Sequence, residues 1–288
     1  KKRKYLIGHG EIPPNTPQPY SEFIDDGNKL LVKTPFTTRP YDHAMSNPTH
    51  SLMVTNGGLH TSCNGNSQQN RLTPDWPDLV AQEVPSEAIY LYDPDNKEWY
   101  SPTYYPLLDT SVKHEVEFCV DGTAVFRMKH KSISTELTTF VPPNEPMGMY
   151  VLTIKNNTKD VRRVRVAPYF HMALAFQPEK SGNLQKKYDE KLDALFFQNP
   201  RNMFRVGWGF VSMSLKSDCV ETNRGKFFGA GRGVDRPFMV EHAKAQADYL
   251  KDDGQIAGFL GTLELPPQGE MTVAIVLGQT DERKDAID

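Results

Sequence analysis

Cysteine is scarce: Cys63, Cys119 and Cys219 are the only three in 288 residues, too few and too scattered for a disulfide framework. That usage fits a reducing compartment, and a cytoplasmic chain is expected. Long apolar runs are missing as well. None approaches the ~18–20 residues of a membrane-spanning helix, so no membrane span is expected. Lys1–Lys4 leads into no apolar stretch of the kind a secretory leader carries. Neither sign of charge dominates, since 33 basic residues face 36 acidic ones for a net charge of −3. The one basic cluster, Lys1-Lys2-Arg3-Lys4, sits at the extreme terminus and reads as a solvated end. Nucleic acid is therefore not an expected partner.

The familiar catalytic signatures are also lacking. No two of the eight histidines stand four apart, and His114-Glu115 is followed by Phe118 where a zincin would place its second histidine. No metal is expected. Asp93-Pro94-Asp95 begins like a calcium loop, but Lys97 and Glu98 follow where ligand and glycine are required, so a hairpin turn is the better account. Gly229-Ala230-Gly231-Arg232-Gly233 has no lysine-serine ending and no strand-to-helix setting. It reads as a tight loop that needs positive φ, not as a phosphate cradle. Gly65-Asn66-Ser67-Gln68-Gln69 is not a nucleophile elbow. Cys63 and Cys119 read as small buried hydrophobes. Asp25-Asp26 and Asp252-Asp253 are adjacent carboxylates, which point opposite ways on extended chain and read as surface turns.

What is present is a chain built for strands. Hydrophobic residues make up 38% and charged residues 24%, a globular balance, and 20 glycines with 22 prolines supply many turns. Lys29–Val32, Ser51–Thr55, Ala88–Tyr92 and Glu98–Ser101 read as strands, the last two as a hairpin. His114–Val120 and Thr123–Lys129 flank Asp121-Gly122, which predicts a type I′ hairpin with positive φ at both turn residues. Ile133–Val141, Met149–Lys155, Val161–Ala167 and Met271–Leu277 follow as further strands, with Val164 and Val166 on one buried face. Helical spacing predicts a short surface helix over Leu184–Ala194 and a second over Phe238–Leu250, entered through Pro237. Strands spaced by turns, with few helices, predict an all-β chain of two packed sheets in one large domain. A missing initiator Met and the charged stretch Asp281–Asp285 read as the ends of a piece cut from a longer protein or a processed product.

The densest unusual segment runs from Asn64 to Pro106, with Asn64, Asn66, Asn70, Arg71, Trp76 and Trp99 among several tyrosines. Amides and guanidinium groups beside flat aromatics suit sugars: the hydroxyls take the hydrogen bonds and an aromatic face covers the apolar side of the ring. A long ordered loop that pins a neighbouring module accounts for the same residues equally well.

Within this segment Asn66-Ser67-Gln68-Gln69-Asn70-Arg71-Leu72-Thr73-Pro74, Ala88-Ile89-Tyr90-Leu91-Tyr92-Asp93 and Trp99-Tyr100-Ser101-Pro102-Thr103 resemble the amino-terminal β-domain of glycoside hydrolase family 94. That family holds inverting glycoside phosphorylases such as cellobiose and chitobiose phosphorylases, and the phosphorylase-like part of cyclic β-1,2-glucan synthases. Arg39-Pro40-Tyr41 to Asn47-Pro48, Phe228-Gly229-Ala230-Gly231-Arg232 and Leu263–Gln279 extend the resemblance from about Thr34 to Gln279. Departures fall at His60-Thr61-Ser62-Cys63-Asn64, where the family is richer in aromatics, and at Asp75-Trp76-Pro77-Asp78.

The resemblance implies a large two-sheet β-supersandwich, galactose mutarotase-like, with a few short peripheral helices. It divides the chain into an irregular Pro-rich segment (1–33), the supersandwich (34–279) and the start of a linker (280–288) to an (α/α)6 barrel. That barrel carries the general-acid Asp and the phosphate site in the family, so this chain is expected to lack the catalytic acid. The parent activity would be phosphorolysis of a β-glucoside, with inorganic phosphate as co-substrate and no other cofactor. An oligosaccharide or β-glucan, the barrel and a second copy in a homodimer are the implied partners. Asn66, Asn70, Arg71 and Trp76 are the residues expected to face carbohydrate or an interface. Two other readings stand beside this one: a stand-alone sugar-binding or protein-interaction sandwich, and a mutarotase-like enzyme using His114, His130 and His171.

Overall fold

The computed structural model describes residues 5–6, 10–11, 16, 19–58, 60–74, 85–176, 184–248 and 254–287. The described strands, in chain order, are β1 (Tyr5–Leu6), β2 (Gly10–Glu11), β3 (Ser21–Ile24), β4 (Lys29–Val32), β5 (Asp42–Ser46), β6 (His50–Thr55), β7 (His60–Asn64), β8 (Glu87–Asp93), β9 (Glu98–Tyr100), β10 (Lys113–Cys119), β11 (Thr123–Lys129), β12 (Ile133–Phe140), β13 (Met147–Asn156), β14 (Arg162–His171), β15 (Gln185–Asp189), β16 (Ala194–Gln198), β17 (Trp208–Met213), β18 (Cys219–Asn223), β19 (Gln255–Leu265) and β20 (Glu270–Thr280). Two one-turn helices, α1 (Arg224–Phe228) and α2 (Phe238–His242), lie between β18 and β19.

Alternation of side chains decides the layers. Along β11, β12 and β13 buried and more exposed residues alternate with period two, which gives each strand one apolar face. These strands form the middle of a ten-stranded antiparallel sheet, ordered β15-β16-β17-β20-β13-β12-β11-β10-β4-β3. Facing it is a second layer of two sheets, β18-β19-β14-β8-β9 and β5-β6-β7. Val116, Phe126, Leu137, Leu152 and Ile275 from the large sheet meet Leu91, Val164, Val166 and Phe259 from the five-stranded sheet and Leu52 and Val54 from the small one. The result is the all-β two-sheet supersandwich that the sequence predicts. Each such side chain contributes roughly 1.5–3 kcal/mol by leaving water.

The five-stranded sheet is buried on both faces. Tyr90, Tyr169 and Ile256 point outward and are covered by Phe227 and Phe228 of α1 and Met239 and Val240 of α2. Every residue of β8 is buried for that reason, and its periodicity is lost from the sequence.

Several local expectations are corrected. Leu184–Ala194 is not helical: β15 and β16 pair as a hairpin, with Asp193 at φ 50° in the turn and its carboxylate accepting from the Tyr188 hydroxyl at 2.6 Å. The charged residues that suggested a helix face, Lys186 and Lys187, sit on an edge strand, where charge blocks further strand pairing. Helix α2 ends at His242, because Ala243 turns left-handed at φ 55° and the Arg165 guanidinium takes the carbonyls of Val240 and Glu241 at 3.0 and 2.5 Å. At the β10–β11 turn only Gly122 has positive φ, 81°. Cys119 accepts from the Gly122 N–H at 3.1 Å, so the loop has three residues and a bulge instead of two residues in type I′. β3 is not expected within the Pro-rich segment; it pairs with β4, the expected strand Lys29–Val32, and the two form the edge of the ten-stranded sheet. Among the described residues no helix is long and apolar enough to cross a membrane.

Close approach of β20 to the chain entering β13, with the Phe210 ring of β17 packed beside it, depends on Gly278. A Cβ there would lie 2.5 Å from the Phe210 ring, 2.6 Å from the Pro146 carbonyl and 2.7 Å from Met147 Cβ. Two of those neighbours are fixed by the backbone, so relief requires the strands to move. Gly278→Ala is expected to cost about 1–3 kcal/mol, read as a lower urea midpoint. An unchanged midpoint would show that the strands part freely.

Candidate functional site

The segment after β7 folds through its own side chains. Asn66 Oδ1 accepts the N–H groups of Gln68 and Gln69, both at 2.9 Å, and so closes a turn. Arg71 donates from Nε to the Ser67 carbonyl at 2.8 Å and from Nη1 to the Pro74 carbonyl at 3.1 Å. Its backbone bridges to Cys63 on one side and Ala175 on the other. The loop is thereby stitched to β7 and to the segment following β14.

Asn70 does not face solvent. It is fully buried, with Nδ2 donating to the Asn64 carbonyl at 2.8 Å and to Gln279 Oε1 at 2.7 Å. Its Oδ1 accepts from Asn202 Nδ2 at 2.9 Å, and Asn202 also donates to the Leu174 carbonyl. Sequence reasoning expects Asn70 to face carbohydrate or an interface; in the structure it ties loop 64–74 to the end of β20 and to loop 199–207. Trp76 lies outside the described residues.

Asn66 and Arg71 share a groove with the outer face of the β5-β6-β7 sheet. The groove has a volume of about 450 Å³, and Ala44, Ser46, Ser51, Met53, Thr61, Cys63 and Ser67 line it. Its far rim is the Asn47-Pro48-Thr49 turn. Asn47 Oδ1 accepts from the N–H groups of Thr49 and His50, and its Nδ2 donates to the carbonyls of Pro142 and Glu145 at 2.7 and 2.6 Å. Sequence reasoning missed Asn47 as an organiser, although Asn before Pro is a turn signal. No Asp or Glu is among the lining residues. Hydroxyls, an amide and a guanidinium bind through hydrogen bonds, whereas glycosyl transfer by the common route requires convergent carboxylates.

Titratable groups are instead gathered inside the sandwich. Glu87 on β8 is buried and accepts from Thr73 Oγ1 at 2.9 Å and from the Tyr150 hydroxyl on β13. Burial pushes its pKa up against the pull of the hydroxyls of Tyr150, Ser62 and Thr73. His60 lines the same small enclosed space and donates from Nδ1 to the Gly58 carbonyl, 2.8 Å away, so that nitrogen carries the proton. This hub joins all three major sheets and is closed to solvent.

Of the three histidines of the mutarotase-like reading, His171 on β14 lies on a different sheet from His114 on β10 and from His130, which follows β11. His114 packs on Tyr104, His130 on Tyr100, and His171 lies beside Gly254, with the Arg224 charge depressing its pKa after burial. Among the described residues no group of three or more His, Cys, Asp and Glu side chains is placed to hold a metal. Asp93 serves its turn, accepting from the N–H groups of Asp95 and Asn96 and from Arg162. The glycine-rich stretch is a loop between α1 and α2, with positive φ at Gly229 and Gly231.

A two-layer β-supersandwich with a polar groove on its small sheet defines a class of domain, and residues 29–288 match the family model described as glycosyl hydrolase 94, supersandwich domain. The chain belongs to that family. It is 19% identical over 273 residues to an N,N'-diacetylchitobiose phosphorylase from Vibrio proteolyticus, a match covering 90% of this chain and 33% of the relative. The chain thus spans about one third of that relative's length. Among solved structures, a protein assigned as a kojibiose phosphorylase from the human microbiome is similar with a TM-score of 0.51 at 8% identity, over 92% of this chain and 33% of that one. A protein assigned as an aldose 1-epimerase from Escherichia coli K12 has a TM-score of 0.49 at 9% identity, over 84% and 100% of the respective chains.

Proposed function

We propose that this chain is the supersandwich module of an inverting glycoside phosphorylase, or of a cyclic glucan synthase-like protein, acting on β-glucosides. The match to the family model over residues 29–288 carries this reading, and the chitobiose phosphorylase relative supports it. In the proposed reaction a phosphate oxygen attacks the anomeric carbon and the glycosidic C–O bond breaks. The leaving oxygen takes its proton from a general acid. Acid and phosphate site belong to an (α/α)6 barrel in the parent chain, and inorganic phosphate is the co-substrate. The module's part is to hold an oligosaccharide or β-glucan, or the barrel of its own or a second copy, through the surface bearing Asn66 and Arg71. Three unpaired cysteines favour the cytoplasm as its place of work.

The test has two arms. The polypeptide as the source cell makes it is sized by mass spectrometry and incubated with inorganic phosphate and cellobiose or N,N'-diacetylchitobiose, with 31P NMR following sugar 1-phosphate of inverted anomeric configuration. The 288-residue chain is run beside it. The expected result is a native chain well above 32.6 kDa that forms sugar phosphate while the 288-residue chain alone forms none. A native chain of 32.6 kDa without phosphorolysis, or turnover by the 288-residue chain alone, overturns the proposal.

A further inference from the structure

The five-stranded and three-stranded sheets stand side by side against the same large sheet, yet they are treated differently on the outside. The five-stranded sheet hides its outer face under α1 and α2. Over the three-stranded sheet no described helix lies, and the outer face forms the walled groove of about 450 Å³. We propose that this groove is a non-catalytic saccharide site that seats a neutral disaccharide unit. The inference rests on the reading of the chain as a carbohydrate-associated module and names the ligand class of the surface that reading invokes.

Four observations carry it. The volume falls in the range of small-ligand pockets, roughly 300–1,000 Å³. The floor is mixed in the way a pyranose requires: the half-exposed Met53 and the exposed Ala44 offer apolar surface, while Ser46 and Ser67 place hydroxyls at the edges. Asn66 spends its Oδ1 on the turn, and among the described residues its Nδ2 has no hydrogen-bond partner, which leaves that amide donor for a ligand hydroxyl. The charge is right for a neutral polyol. Among the described residues no carboxylate lines the groove, and the one cation there, Arg71, is already held by the carbonyls of Ser67 and Pro74.

Rigidity completes the case. Asn47 locks one rim through four backbone groups, and Asn70 locks the base of the other through three segments. Shape is therefore present before the ligand arrives, which removes much of the ordering cost of binding.

The experiment uses the 288-residue chain with its methionine methyl groups labelled with 13C. Cellobiose, N,N'-diacetylchitobiose and kojibiose are titrated separately, with glucose 1-phosphate as a charged probe. At least one neutral disaccharide is expected to move the Met53 methyl resonance saturably. Ala44→Trp, which fills the groove from an exposed position on β5, is expected to weaken that binding roughly tenfold or more while leaving the urea midpoint unchanged. Ser67→Ala, a smaller change, is expected to weaken it a few-fold. A Met53 resonance unmoved by all three disaccharides overturns the proposal. So does movement by glucose 1-phosphate alone, which would mark an anion site, or binding indifferent to Ala44→Trp, which would place the sugar elsewhere. None of these results touches the phosphorylase reading, which the 31P assay decides separately.

Discussion

Mild acid is expected to unfold this protein before its carboxylates titrate. Four histidines are held away from water in their neutral form. Burial lowers His50 to a pKa of about 3 and His60, His114 and His171 to about 4, from an ordinary value of 6.5. Desolvation is the leading cause for each, because the imidazolium loses hydration that the interior does not replace. Both ring nitrogens of His50 lack partners, as does Nε2 of His60. A folded pKa below the unfolded one means the unfolded chain binds protons more readily. The stability from these groups is complete above about pH 6.5 and drains as pH falls toward 4. Each contributes on the order of 2–3 kcal/mol by pH 4, against a total of roughly 5–15 kcal/mol for a typical domain. Glu87 acts in the opposite sense, since its raised pKa favours the folded state in acid, but it is one group against four. Circular dichroism against pH should show cooperative loss of structure between about pH 6 and 4. His50→Leu, which removes one proton acceptor without breaking a hydrogen bond, should move that midpoint to lower pH. A midpoint that stays put, or moves up, would rule out His50 as a contributor.

Asn70→Ala is expected to produce the largest loss of stability among changes in the loop. The substitution strips partners from the Asn64 carbonyl, Gln279 Oε1 and Asn202 Nδ2, all in a region sealed from water. A buried polar group left unpaired costs about 1–3 kcal/mol, and Asn202 keeps its bond to the Leu174 carbonyl, so about 3–5 kcal/mol is expected in total. Denaturant unfolding measures it directly. Asn70→Asp should be at least as damaging, because it turns a carboxylate oxygen, itself an acceptor, toward two acceptors. If either variant unfolds at the wild-type midpoint, the amide network is not what holds loops 64–74 and 199–207 together. Neither variant alters a side chain lining the groove, so weakened saccharide binding in a still-folded Asn70→Ala chain would report lost rim order.

The strands with one solvated face were legible in the chain because period-two alternation survives there. β11, β12 and β13 lie within a residue or two of their expected places, and the pair Val164 and Val166 faces the core as expected. β7, β16 and β19 escaped notice because nearly all their residues are buried, which erases alternation. Leu184–Ala194 misled for a related reason: a charged edge strand and a surface helix look alike when only polarity is read.

The candidate site divides along the same line. Residue types and the block from Asn66 to Pro74 were enough to mark the segment and its family. Which of those side chains meets solvent was set elsewhere, by contacts distant in sequence. Asn70 is sealed by Gln279, 209 positions away, and by Asn202, 132 positions away. Among the described residues no helix covers the small sheet's outer face as α1 and α2 cover the five-stranded sheet, and that is where the groove lies. Local patterns record what each stretch of chain prefers, and so the all-β class, the β8–β9 and β10–β11 hairpins and the family follow from the order of residues. Burial and partnership are properties of segments brought together from far apart, and only the packed sandwich fixes them.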